Sequence, residues 1–279
     1  SDPSPAYWSP QRPAWKGLSK ILNRLRMLVF ARDANYFLRL LESYVEDVSR
    51  NVTYIGPVRA TADRYYRYQE LAIEDIDFRG QNLAMFLLGL TRGERNQFNQ
   101  FVKSVFDFEV EVEGTSHIEI AIRQKDSKRV VNLADSGFGF SQHLPILAQV
   151  WSLAVRRKLF YFYPRRMFRP HTPPVICAIE QPELHLHPAQ QAKVAEYFAQ
   201  ALKLYREKKK NVYLLIETHS EAIVNRLGEM VEQGVISSSD VAIYVFNKLN
   251  SDDDTEIQTV TFDEKGILRD WPFGFFHWS

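Results

Sequence analysis

The chain has one cysteine among 279 residues, Cys177. A single thiol excludes an internal disulfide framework and suits a reducing compartment. It sits in the apolar run Val175-Ile176-Cys177-Ala178-Ile179, the setting of a buried strand thiol rather than a reactive one. Charge of one sign is missing too: 35 basic against 34 acidic residues argue neither for nor against a nucleic-acid partner, so any electrostatic footprint must be local. No apolar stretch approaches the ~20 residues of a membrane helix. The opening Ser1-Asp2-Pro3-Ser4-Pro5 has no basic segment followed by an apolar one, unlike a signal peptide. A soluble cytoplasmic protein is expected. What is abundant is apolar side chain, 45% of residues, enough for a substantial core.

Residues 1–17 hold four prolines and three aromatics and read as an irregular lead-in. From Leu18 to about Val48 apolar residues recur at helical spacing, as one long helix or a helical pair partly wrapped on something else. We therefore divide the chain into a lead-in with a helical segment, 1–49, and one lobe, 50–279. Asn51–Pro57 forms a short strand stopped by Gly-Pro, and 81–90 and 94–106 are helical by pattern. Strands 108–113 and 118–122 alternate with period two around Gly114-Thr115-Ser116, a β-hairpin, with a third strand at 129–133. A helix is expected from about Leu144 to Tyr161, with Pro145 tolerated in its first turn. Strand 175–180, helix 189–208, strand 212–217, helix 220–233 and strands 241–246 and 257–262 follow. Their alternation predicts an α/β fold with a mainly parallel sheet and an edge hairpin.

Three segments carry chemistry. In the first, Val175-Ile176-Cys177-Ala178-Ile179-Glu180-Gln181-Pro182-Glu183-Leu184-His185-Leu186-His187-Pro188, an apolar strand ends in a carboxylate. Nucleotide-binding α/β proteins present an acid to Mg²⁺ in this way, and one or two carboxylates suffice for that hydrated cation. Metal binding by Glu183, His185 and His187 is an alternative, since alternate residues share a face in an extended turn. The second, Leu214-Leu215-Ile216-Glu217-Thr218-His219-Ser220, is a strand ending in Thr-His-Ser about 40 residues on, one βαβ step. Ser220 is also a good helix cap. The third, Ala134-Asp135-Ser136-Gly137-Phe138-Gly139-Phe140-Ser141-Gln142, is a glycine-containing turn before a helix start, where backbone can approach a ligand and N–H groups favour phosphate.

Together, in order and spacing, these segments resemble the Walker B and D-loop, the switch histidine and the signature loop of ABC-type ATPase heads of the RecF, SMC and OLD kind, within the AAA ATPases. The resemblance covers about 50–279 and includes Tyr54-Ile55-Gly56-Pro57-Val58-Arg59 and the tail Trp271-Pro272-Phe273-Gly274-Phe275-Phe276. It implies Glu180 as the Mg²⁺-side acid, His219 as γ-phosphate sensor, and Gln181 at the position of the catalytic glutamate. A glutamine orients a water but takes no proton from it, which leaves Glu183 as the nearest substitute base. The resemblance further implies that Ser136, Gly137, Gly139, Ser141 and Gln142 meet the nucleotide of an opposing subunit, with His187 in the nucleotide-contacting set. Its cofactors are ATP and Mg²⁺. Its partners are a second head across the ATP sandwich and an effector, a nuclease or toxin, in bacterial anti-phage systems. No Gly-x-x-x-x-Gly-Lys-[Ser/Thr] phosphate loop occurs in the chain, so that lobe is expected elsewhere: in a longer chain, in a second polypeptide, or lost in a degenerate subunit. A non-catalytic assembly scaffold is the rival reading. Nucleic acid is a further candidate partner, through the basic and aromatic segment that holds Arg156, Arg157, Arg165 and Arg166.

Overall fold

The computed structural model describes residues 13–70, 73–124, 129–156, 174–247 and 254–271. They fall into two compact units: a helix, α1 (Pro13–Arg50), and the elements from Asn51 onward. The expected helix or helical pair is thus a single helix of 38 residues, and apolar side chains along it, such as Ile21, Leu25, Leu28, Phe37 and Leu41, are exposed.

In the second unit, β1 (Val52–Ile55) leads through β2 (Tyr66–Arg67) to α2 (Leu83–Leu88) and α3 (Arg92–Phe106). Thr91 and Glu94 close a capping box at the start of α3: the Glu94 N–H donates to the Thr91 hydroxyl at 3.2 Å and the Thr91 N–H to the Glu94 carboxylate at 2.8 Å. Next come β3 (Phe108–Glu113), β4 (His117–Gln124), β5 (Val130–Asn132) and α4 (Phe138–Val155), then β6 (Val175–Glu180), α5 (Pro188–Glu207), β7 (Val212–Glu217) and α6 (Glu221–Glu232). Strands β8 (Ile243–Asn247), β9 (Glu256–Phe262) and β10 (Leu268–Arg269) complete the described elements.

The fold is mixed α/β around a parallel sheet of order β1-β6-β7. Strands β2 to β5 form an antiparallel sheet that contains the expected hairpin. Strands β8 to β10 form another, so the strand expected at 241–246 pairs antiparallel with β9 among the described residues and does not extend the parallel sheet. An antiparallel neighbour needs no crossover helix to satisfy its backbone.

Helix α4 lies against β6 and is apolar nearly all round, so Leu144, Ile146, Leu147, Val150 and Trp151 are fully buried. Trp151 meets Phe98 of α3 edge-on at 5.3 Å between centroids. From α5, Tyr197 and Tyr205 donate their hydroxyls to the Leu147 and Val150 carbonyls at 2.6 and 2.7 Å, and burial raises both phenol pKa values. The expectation for this helix needs correction. It begins at Phe138, six residues early, so Pro145 stands inside it rather than in its first turn. The proline ring packs where Gly80 has no side chain: a Cβ on Gly80 would meet Pro145 Cγ at 2.6 Å.

Alternation gives the parallel sheet two unlike faces. Val175, Cys177, Ile179 and Ile55 are buried against the helices. On the other face lie two cross-strand rows, Val52–Ile176–Tyr213 and Tyr54–Ala178–Leu215. Tyr213 is 60% and Leu215 61% exposed. At the carboxyl end of that face Glu180 and Glu217 stand in register.

Candidate functional site

Glu180 is the last residue of β6, half-buried, and accepts a hydrogen bond from the Tyr54 hydroxyl of β1 at 2.9 Å. That bond, ahead of the desolvation and charge around it, raises the Tyr54 pKa. Gln181 follows in the left-handed region at φ 43°, unusual for a residue with a side chain. Its N–H donates to the Glu217 carbonyl of β7 at 2.9 Å. Its carbonyl accepts from Arg59 at 3.0 Å, and the same guanidinium donates to the carbonyls of Glu180 (3.2 Å) and Gly56 (2.7 Å). Arg59 is only 4% exposed. Burial draws its pKa from the usual 12.5 to about 10, against the raising influence of the Glu183 carboxylate.

Glu183 is buried, and both of its oxygens are engaged. One accepts from the Thr218 hydroxyl at 2.8 Å, the other from the His219 N–H at 2.7 Å. Ser220 caps α6 through the Ile223 N–H and donates its hydroxyl to Gln191 at 2.6 Å, and Gln191 in turn donates to the Leu186 carbonyl at 2.9 Å. The turn after β6, the turn after β7 and the first turn of α5 are therefore one hydrogen-bonded unit. The His219 ring is left exposed beside Glu217, with 3.8 Å between Nε2 and the carboxylate, too long for a hydrogen bond. His187 caps α5, its Nδ1 accepting from the Ala189 N–H at 3.3 Å.

Helix α4 starts from Gly137, which has φ 97° and supplies no side-chain cap. Ser136 instead donates to the Leu133 carbonyl at 2.7 Å. Gly139 rests on the turn after β6: a Cβ there would lie 3.1 Å from Leu186 Cδ2 and 3.2 Å from the His185 carbonyl oxygen. Ser141 and Gln142 lie inside the protein, Gln142 being 2% exposed. The Gln142 amide donates to the Arg59 and Ala60 carbonyls, each at 3.1 Å. Next to it His143 is buried, and that burial, with the nearby Arg59 charge, lowers its pKa to about 3.

The fold thus brings Glu180, Gln181, Glu183 and His219 to the carboxyl ends of two adjacent strands, with Gly139 leaning on the same turn. It does not bring Ser141 or Gln142 to a surface, because the segment read as a turn and helix start over 134–142 is already helical from Phe138 and turns inward there. Nor does it gather Glu183, His185 and His187: no group of three His, Cys, Asp or Glu side chains fit to hold a metal exists among the described residues. Arg156 is turned inward, 3.4 Å from Glu94 and over the Phe86 ring, so this member of the proposed nucleic-acid patch is structural. Arg157, Arg165, Arg166 and the tail 272–276 lie outside the described residues. Arg59 and Tyr54 were missed as site residues. Only their place in the Tyr-Ile-Gly-Pro-Val-Arg segment hinted at them.

Residues 61–224, more than half of the chain, match the AAA ATPase domain family. The chain belongs to that family. No curated protein matches it. Similar solved structures include an SMC head bound to the C-terminal winged-helix domain of ScpA, 13% identical over 61% of this chain and 43% of that one, TM-score 0.37. A second comes from work on ATP-driven dimerisation and DNA-stimulated activation of SMC ATPases, 13% identical over 62% and 84%, TM-score 0.36. A third is the SMC head with an extended coiled coil from Pyrococcus furiosus, bound to the C-terminal domain of ScpA, 14% identical over 60% and 34%, TM-score 0.35. The chain spans less than half the length of the first and third of these. No helix among the described residues is long and apolar enough to cross a membrane.

Proposed function

We propose that this AAA ATPase chain supplies one half of an ATP·Mg²⁺ site and works when a lobe carrying the phosphate loop docks on the bare face of its parallel sheet. The observation that carries this reading is that face. Parallel sheets are ordinarily covered on both sides, yet here Tyr54, Tyr213 and Leu215 are exposed. The apolar rows end at Glu180 and Glu217, carboxylates that complement the lysine of a phosphate loop and its cation.

Glu180 fits Mg²⁺: it is half-buried, held at one oxygen by Tyr54, and one carboxylate is enough when phosphate and water fill the other positions. Gln181 would orient the attacking water, and the exposed His219 would face the γ-phosphate. Glu183 is the weaker candidate for a base, since both of its oxygens already hold the Thr218–His219 turn. Across a dimer of heads the uncapped start of α4, at Gly137 and Gly139, fits a phosphate of the opposite subunit. For the primary phosphate cradle the chain has no fitting residues. With an amide at the base position turnover is slow and the ATP-bound dimer long-lived, a state suited to gating an associated nuclease or toxin in antiviral defence.

The test is steady-state hydrolysis by the chain reconstituted with its phosphate-loop lobe. Slow turnover, abolished by Glu180→Gln and accelerated at least about tenfold by Gln181→Glu, is expected. Rapid turnover indifferent to Gln181→Ala would contradict it. Absence of any nucleotide binding by the complex would leave the chain an assembly scaffold.

A further inference from the structure

We infer that Arg59 is a positioning residue that sets the backbone of Gln181 and couples it to the N-terminal part of α4; this rests on the role proposed for Gln181. A guanidinium is costly to bury, and at Arg59 the Glu183 carboxylate offsets that cost only in part. The two terminal nitrogens of Arg59 donate to three carbonyls, of Gly56, Glu180 and Gln181, while Nε is buried without a partner among the described residues. A planar fork reaches three acceptors in a fixed arrangement, which an ammonium on a flexible stem does not.

Gln181 needs such a hold. Its left-handed φ is strained for a residue with a Cβ and persists only where its surroundings determine it. Both of its backbone groups are clamped from outside: the N–H by β7 through the Glu217 carbonyl, the C=O by Arg59. The backbone of Arg59 is itself gripped from α4, since Gln142 donates to the Arg59 and Ala60 carbonyls. A chain of short contacts therefore runs from the uncapped end of α4, through Gln142 and Arg59, to the residue placed at the attacking water. Whatever shifts that helix end shifts Gln181.

Hydrogen exchange of the full chain, read by peptide mass spectrometry, tests this without nucleotide. In Arg59→Met, exchange over residues 181–187 is expected to rise about tenfold or more while the β3–β4 hairpin keeps its protection. Arg59→Lys should fall between the two. Gln142→Met should also raise exchange over 181–187, yet add nothing in the Arg59→Met background. If Arg59→Met also strips the hairpin, Gln142→Met alone decides. Unchanged protection over 181–187 in the folded variants overturns the inference. In the reconstituted complex, Arg59→Lys should lower kcat and leave KM for ATP unchanged; the reverse pattern would also overturn it. A complex that binds no nucleotide defeats the proposed function, while the exchange result still decides the role of Arg59.

Discussion

The two faces of the parallel sheet are built from the same strands and the same kinds of residue, yet they live in different environments. On one, Val175, Cys177 and Ile179 share a core with α4 and α5. On the other, Tyr54, Tyr213 and Leu215 meet solvent and lead to two carboxylates. The covered face carries the stability of the fold. In the function proposed above, the bare one carries an interaction and, at its edge, chemistry. This contrast makes opposite claims about substitutions on the two sides.

The largest effect belongs to the covered side. Trp151→Ala is expected to cost about 3–5 kcal/mol in urea denaturation, because the indole is fully buried between α4 and α3. A cost below about 1 kcal/mol would mean that this core is looser than its packing implies.

Next comes pH. The His143 pKa is lowered from 6.5 to about 3 in the fold, so the unfolded chain binds the proton first. The contribution is whole above the unfolded value and drains as pH falls toward about 3, at roughly 1.4 kcal/mol per pH unit. Between pH 6.5 and 5 this is about 2 kcal/mol, and the slope from this residue should vanish in His143→Gln. Denaturation midpoints at both values check it. A variant with the parent's slope would assign the acid sensitivity to another group.

The smallest effect sharpens the comparison from the other side. Tyr213→Gln and Leu215→Gln on the bare face should shift stability by no more than about 0.5 kcal/mol each. The same changes should weaken capture of a phosphate-loop lobe in a pull-down. A large loss of stability would mean that this face is already covered.

What could be read from the chain, and what could not, divides along the same line. Strands β6 and β7 were legible to the residue, since each is an apolar run ended by a glutamate. A continuous run such as Val-Ile-Cys-Ala-Ile signals a strand apolar on both faces, but not which face is covered within the chain. The start of α4 was misplaced because a helix buried on every side has no amphipathic period to mark it, and Pro145 imitated a first-turn proline. Glu180, Gln181 and His219 were legible as strand-end polar residues at a βαβ spacing. The inward turn of Ser141 and Gln142 was not, because it depends on that helix start. Arg59 was least legible of all. Its partners are main-chain carbonyls, which every residue has and no motif spells.

The claim that this chain holds half of an ATP site is tested most directly by calorimetry with ATP and Mg²⁺. The chain alone should show no binding tighter than about 1 mM, and its complex with a phosphate-loop lobe should bind, with binding weakened by Glu180→Gln. Micromolar-range binding by the chain alone, insensitive to Glu180→Gln, would contradict it.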